Sequence, residues 1–308
     1  MKMNRFALGL AAFSVCAALS ARATADTITS IGPLQSVSLF PSLGAAAGYA
    51  ILGVGEGNFG DTVHLSASTT NGNVGVAGPN GALDQDAPGV VNGNIYLNTG
   101  TTIIESHPGV VSGTIFTGLD LTQAVTDAKA ASSSAAALFT TAALGNVNGA
   151  ETVTGNGGLN VITIGDLVLN NDDLLLSGGV GDKFVINITG KLDLTGNAII
   201  GGLGGVDASD ILINVLGTGT TLTTHVDDMI NGTLLSLNRS ITFHGTTGAI
   251  IAGGITVDST TTIMSGATIN YVALQPPSVP LPASVWGGFA LLGGLGLTRL
   301  RRFRSTNA

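Results

Sequence analysis

The stretch NGNVGVAGPNG, Asn71–Gly81, decides how this chain is read. Its opening returns as NGNIYL from Asn92 and, loosened, as SGTIFT from Ser112, so Val74, Ile95 and Ile115 stand 21 and then 20 residues apart. Such an echo is either a ligand loop used three times or a wall laid in courses. Short apolar strands separated by glycine turns, repeating at about 20 residues, favour the wall, because solenoid units bury their apolar faces only by stacking on one another. Val74, Ile95 and Ile115 are then expected to stack inward, with the Asn-Gly pairs making the corners.

Downstream the same language continues in VITIGDLVLNNDDLLLSG from Val161, FVINITGKLDLTGNAIIGG from Phe184, ILINVLGTGTTLTT from Ile211 and ITFHGTTGAIIAGGITVDSTTTI from Ile241. Each run breaks at Gly, Asn or Asp within about four to eight residues. In FVINITG the alternation puts Phe184, Ile186 and Ile188 on one face and Val185, Asn187 and Thr189 on the other. Leu192 and Leu194 resume the apolar face after Gly190-Lys191. The pattern predicts a fold dominated by β structure, a parallel β-helix of about ten coils and roughly 50 Å. A β-sandwich of about fifteen strands is the competing architecture.

One segment departs from strands. In LDLTQAVTDAKAASSSAAALFTTAALG, Leu121, Ala124, Ala128, Ala131, Ala135 and Leu138 recur at spacings of three and four, which predicts one long helix over about 120–144. Asp120 is the expected N-cap, accepting the amide of Gln123 while Gln123 reaches back, and Gly145 the expected stop. A stripe of alanine lets such a helix lie close along one face of the solenoid.

Both ends read as processing segments. Residues 1–25 combine Lys2 and Arg5, an apolar run from Phe6 to Leu19, and Ala23 and Ala25 before Asp26, the form of a signal peptide. The single cysteine, Cys16, lies within it, so disulfide and thiol chemistry are not expected in the exported part, 26–275. Residues 276–308 join a proline-rich spacer, an apolar run from Ala283 to Leu297, and Arg299, Arg301, Arg302 and Arg304. About fifteen apolar residues make a marginal membrane span, with the arginines holding its end in the cytoplasm. This tail resembles the PEP-CTERM sorting signal, in the variant Val279-Pro280-Leu281-Pro282-Ala283. The resemblance implies transient anchoring through residues 283–300, removal by a sorting enzyme, and a final place at the cell surface or in an exopolysaccharide layer.

All 19 acidic residues lie between Asp26 and Asp258, where the only basic residues are Lys129, Lys183, Lys191 and Arg239, leaving a formal charge of −15 on the exported part. Nucleic acid is not an expected partner of such a surface. Self-repulsion instead suits a dissolved extracellular protein.

A solenoid with one helix alongside, opened by LGAAAGYAILG (Leu43–Gly53), resembles the ice-binding-like adhesin domain known as DUF3494. The motifs that carry the resemblance are the YAIL opening, NGNVGV and GVVSGTI, the helix start DLTQAVTDA, then GDKFVINI and the closing GAIIAGGITVDSTTTIMSGATIN, together spanning about residues 42–274. What it implies is a right-handed β-helix of roughly triangular section with the long helix packed beside it. Two stretches depart from a plain coil, AGPNGALDQDAPG and THVDDMINGTLLSLNRS, and both are expected to be loops on the rod.

Chemistry is sparse. His64, His107, His225 and His244 stand at no metal-ligand spacing to one another, and His225 with Asp227 and Asp228 is the best local cluster for a cation. GGLGG, 201–205, follows no dinucleotide pattern and reads as a corner. No catalytic, cofactor-binding or metal-binding residue is expected. Threonine runs are the candidate binding face: Thr101 and Thr102, Thr220, Thr221 and Thr223, and Thr261 could set methyl and hydroxyl groups on a flat outer wall. The expectation is a non-enzymatic, adhesin-like surface or exopolysaccharide-matrix protein. Ice binding by a threonine-bearing face is the alternative, and polysaccharide cleavage the second alternative.

Overall fold

Parallel pairing joins the described strands. The computed structural model describes residues 39–55, 62–78, 81–85, 89–104, 109–217, 222–225, 227–257 and 267–274. The expected signal peptide, the sorting segment with Val279, Pro280, Leu281, Pro282, Ala283, Arg299, Arg301 and Arg302, and Thr220, Thr221 and Thr261 lie outside them. No helix among the described residues is long and apolar enough to cross a membrane.

Short strands follow from frequent interruption by Gly, Asn and Asp, and their apolar alternation gives each an inward and an outward side. Three ladders result, one per wall of a β-solenoid. On the first wall a single inward column runs Ile115, Ile95, Val74, Ile51, Ile250, Leu234, Ile213, Ile186, Ile162, Ala142. On the second it runs Ile103, Leu83, Val63, Ile255, Ile241, Leu222, with Leu192, Leu167 and Val147 continuing it. The third reads Val111, Val91, Thr70, Ile269, Thr247, Ile230, Ile200, Leu174, Glu151. Most of these side chains form one lumen core, so the sandwich, which would need antiparallel sheets facing each other, is overturned by parallel columns on all three walls.

The Asn-Gly pairs do make corners. Stacked corners approach so closely that a Cβ on Gly93 would run into the carbonyl oxygen of Gly72, and one on Gly113 into that of Gly93. Asparagine side chains tie each course to the next: Asn73 Oδ1 accepts the amide of Asn94 at 3.0 Å, and Asn94 Oδ1 that of Thr114 at 2.9 Å.

Courses do not stack in chain order. The coils containing Ile51, Val74 and Ile95 build toward Ile115 at one end. The chain then passes through its helix and restarts at the other end with Ala142–Asn148. From there it winds back until Ile250 pairs with Ile51 in the interior of the stack. Val74 and Ile95 are fully buried, whereas Ile115, as a last-course residue, is partly exposed.

Helix α1, Thr122–Ala137, lies on the outside of the first wall. Leu121, Ala124, Ala128, Ala131 and Ala135 are buried there against Leu52, Ile251, Leu235, Leu212, Val185 and Val161, which belong to six consecutive courses. Five course spacings of about 4.8 Å equal the length of sixteen residues at about 1.5 Å each, so helix and wall match. The helix is shorter than 120–144. Leu138 is extended, and Thr141 pairs with Val161, donating its amide at 2.7 Å, because β-branched residues there join the wall as a strand. Asp120 accepts the amide of Thr122 at 2.9 Å, not that of Gln123, and the Gln123 side chain donates to Asp127 at 2.7 Å. Gly145 lies within the strand that follows, at φ 67°.

Two further expectations change. Met229–Phe243, which begins within the stretch read as a loop and continues past Ser240, is one fifteen-residue strand that crosses all three walls. Its apolar Ile230, Leu234 and Ile241 point into the lumen, the polar Asn231 and Asn238 sit off the core, and Thr233, Ser236 and Arg239 are buried. Similarly, Ala82–Gln85 is a strand of the second wall.

Candidate functional site

The three walls present different outer surfaces. Helix α1 and the segment carrying Phe40, Leu43 and Ala46 cover the first. The second carries outward Ile104, Asp84 and His64 at one end and Thr242 and Thr223 further along the same register, with His64 Nε2 3.9 Å from Asp84 Oδ2. Beyond it Lys191 and Asp193 pair at 3.2 Å. Charge thus breaks the second wall at both ends.

The third wall is different. Its outward column reads Val110, Val90, Thr69, Thr268, Thr246, Met229, Ile199, in unbroken register, before Asp173 ends it. Seven uncharged positions at about 4.8 Å make a stripe of about 29 Å. Beside it runs a second column of amides. Asn92 Nδ2 donates to Asn71 Oδ1 at 2.8 Å, and Asn71 Nδ2 to Asn270 Oδ1 at 2.8 Å, which fixes each side chain by its neighbour in the next course. The face is therefore ordered by its own hydrogen bonds, with threonine methyls and hydroxyls at its centre and aliphatic side chains at both ends.

Of the sequence-predicted threonines, the described Thr101, Thr102 and Thr223 are not on this wall. Thr101 lies in the corner turn after Asn98, donating its amide to the Asn98 carbonyl at 3.1 Å, and its hydroxyl is buried. Thr102 and Thr223 are exposed on the second wall, but in different columns, since Thr102 aligns with Ala82 and Thr223 with Thr242. Sequence reasoning missed Thr69, Thr246 and Thr268. A signal for them existed: each stands two residues before a corner residue, Asn71, Gly248 or Asn270, as Val90 does before Asn92.

The acidic clusters serve the frame. Asp228 is buried, its Oδ1 accepting the Ala198 amide at 2.9 Å and its Oδ2 the His225 amide at 2.7 Å, while His225 Nδ1 meets the Leu194 carbonyl at 3.0 Å. Asp227 occupies the tight turn between them at φ 72°. Among the described residues no group of three or more His, Cys, Asp or Glu is placed to hold a metal ion. Lys183 pairs with Asp210 and lies 5.9 Å from the centre of the Phe40 ring. Arg239 donates to the carbonyls of Gly217 at 2.7 Å and Gly190 at 2.9 Å, and burial holds its guanidinium below the usual arginine range. Both cations are used to tie courses together.

Comparison with known proteins agrees with this architecture. The profile of the ice-binding-like adhesive domain family matches residues 30–269. Among solved structures, an ice-binding protein from the Antarctic ascomycete Antarctomyces psychrotrophicus is 20% identical, covering 75% of this chain and 98% of its own, with a TM-score of 0.51. An ice-binding protein from an Antarctic biological consortium is 24% identical, covering 79% of this chain and 96% of its own, with a TM-score of 0.54. Both share the fold. No curated protein sequence matches. With most of its length matched and its solenoid and flanking helix in place, the chain belongs to the ice-binding-like adhesive domain family.

Proposed function

We propose that this chain binds ice through the outer surface of its third wall. The observation that carries the reading is the uncharged, in-register column Val110–Val90–Thr69–Thr268–Thr246–Met229–Ile199 on a wall clear of helix α1. A charged side chain keeps its own hydration shell and opposes transfer of its water into a lattice. Methyl groups with regularly spaced hydroxyls and amides let water order without that penalty. The structural neighbours described as ice-binding proteins support the reading.

Ice recrystallisation in the presence of the purified protein tests it. Thr69→Tyr combined with Thr246→Tyr is expected to cut the inhibition at least about tenfold by disrupting the flat register, whereas Thr242→Tyr on the second wall leaves it unchanged. Ice that coarsens normally with the parent protein would remove the reading. The family's adhesive character favours a second one: an adhesin-like matrix component that uses the same wall on a surface ligand or exopolysaccharide. Retention of the protein on the host's exopolysaccharide, without any effect on ice, would select it.

Either use calls for export. The proposal includes cleavage before Asp26, passage through the inner membrane, anchoring through residues 283–300 and removal of the tail by a sorting enzyme acting near Val279–Ala283, ending at the cell surface or outside the cell. Intact mass of the protein from the culture medium checks it. A mass that retains Trp286 or residues before Asp26 contradicts it.

A further inference from the structure

The two ends of the solenoid are unlike. At one end the last course consists of Thr102–Ile104, Val110–Val111 and Ile115–Leu119, each paired on one side only among the described strands. Its inward residues Ile103, Val111 and Ile115 are the floor of the lumen. Ile103, Ile104, Val110, Ile115 and Phe116 are between 38% and 61% exposed, and the described residues of this course carry no charge. At the other end the last course is Ala142–Asn148 with Glu151–Thr154. There the inward register position on the third wall is Glu151, aligned with Leu174, and no large apolar residue of these two strands is exposed. An inward-pointing charge on an edge strand prevents another strand from docking, and among the described residues of the first end none stands at an inward position.

We infer that the end formed by Ile103, Ile104, Val110, Ile115 and Phe116 docks a second copy of this chain, end to end, in a closed two-fold dimer. Unpaired backbone N–H and C=O groups along an edge are satisfied by another strand, so the occupant is a β edge. The same chain supplies a matching one. An acidic protein repels its own copies over most of its surface, whereas the described strands of this end hold no acidic residue. Glu151 blocks the opposite end, so copies meet like end to like end and the assembly stops at two instead of growing into a fibre. Phe116 is already held for the contact, stacked on Tyr96 with ring centroids 5.2 Å apart, while Tyr49 meets Tyr96 edge-on at 5.7 Å. The ten strand residues of the edge are fewer than the roughly 20–30 per side of a standard interface, which makes this a small contact and the association concentration-dependent.

Sedimentation velocity of the exported protein across a concentration series, with small-angle scattering at the highest concentration, tests the inference. The expected result is a monomer–dimer equilibrium whose dimer has nearly twice the maximum dimension of the monomer. Ile104→Lys with Val110→Lys, both outward-facing, is expected to weaken association at least about tenfold with an unchanged circular dichroism spectrum. Should that pair fold poorly, Thr102→Lys at the exposed edge serves in its place, and Thr152→Lys at the far end is expected to have no effect. A monomer at every concentration, a dimer indifferent to the lysines, or open-ended oligomers broken by Thr152→Lys would each overturn it. So would a dimer seen only after deletion of residues 26–38, which would mean that the chain's own segment covers this end.

Discussion

Asp182 shows how a single side chain holds a solenoid corner. Its carboxylate accepts the amides of Gly157 at 2.7 Å, Gly158 at 3.1 Å and Gly179 at 2.9 Å, and the Asn160 side chain at 3.0 Å. Burial pushes its pKa up, but these four donors favour the charged form and prevail, so it lies below the ordinary aspartate value. A depressed pKa means that the stabilisation is present above the unfolded value, about 3.9, and is lost as pH falls through the lower folded value. Asp182→Asn, which turns an NH2 group toward donors, is expected to cost about 1–3 kcal/mol at pH 7. The difference from the parent should shrink at pH 3. Urea unfolding at the two pH values measures it, and an equal cost at both would deny the charge its role. At this scale the sequence was partly legible. The alternation of Phe184, Ile186 and Ile188 against Val185 and Asn187 was readable because a strand has period two, and the lumen and helix sides divide them in that way. The binding column was not, because Thr69, Thr246 and Thr268 come from separated segments and only course-to-course register brings them into line.

Among the elements, the helix was the most legible and its end the least. Alanines at spacings of three and four mark the side that approaches the first wall, and all four of Ala124, Ala128, Ala131 and Ala135 are buried there. Its termination depends on residues far away in the chain. Asn187 Nδ2 donates to the Ala135 carbonyl at 2.8 Å, which also accepts the Leu138 amide at 3.4 Å, and Asn214 Nδ2 donates to the Ser132 carbonyl at 3.0 Å, so the wall holds the last turns of the helix. Their partners lie 52 and 82 residues distant, so no local signal announces the stop. Asn214 Nδ2 also donates to Asn187 Oδ1 at 2.9 Å, which makes the two side chains one unit. Asn187→Ala and Asn214→Ala are each expected to cost about 1–2 kcal/mol and to speed amide exchange over residues 132–137. The double variant should cost less than the two together, because each single change already disables the shared bond. Strictly additive losses in a thermal-unfolding cycle would show that the asparagines act separately.

For the whole molecule, the parallel solenoid followed from the repeat, but the order of its courses did not. Periodicity reports that units stack, and every course carries the same inward aliphatic signal, so nothing local says which unit is whose neighbour. The helix breaks the sequence order by carrying the chain from the Ile115 end to the Ala142 end. Closure then falls between Ile51 and Ile250, 199 residues apart, and again between Thr70 and Ile269. Such long-range pairing makes the middle of the stack the place where both halves of the chain depend on each other. Stacking in chain order would put Ile250 near the last course and Ile115 in the interior. In the structure Ile250 is fully buried between Ile51 and Leu234, and Ile115 has a neighbour on one side only among the described strands and is 38% exposed. Truncating a buried isoleucine to alanine loses its transfer free energy and leaves a cavity, so Ile250→Ala is expected to cost about 3–4 kcal/mol. Ile115→Ala, already half in water at the open end, should cost about 1 kcal/mol. Urea midpoints for the two variants at equal m-value decide between the orders, since chain-order stacking requires the larger loss at Ile115.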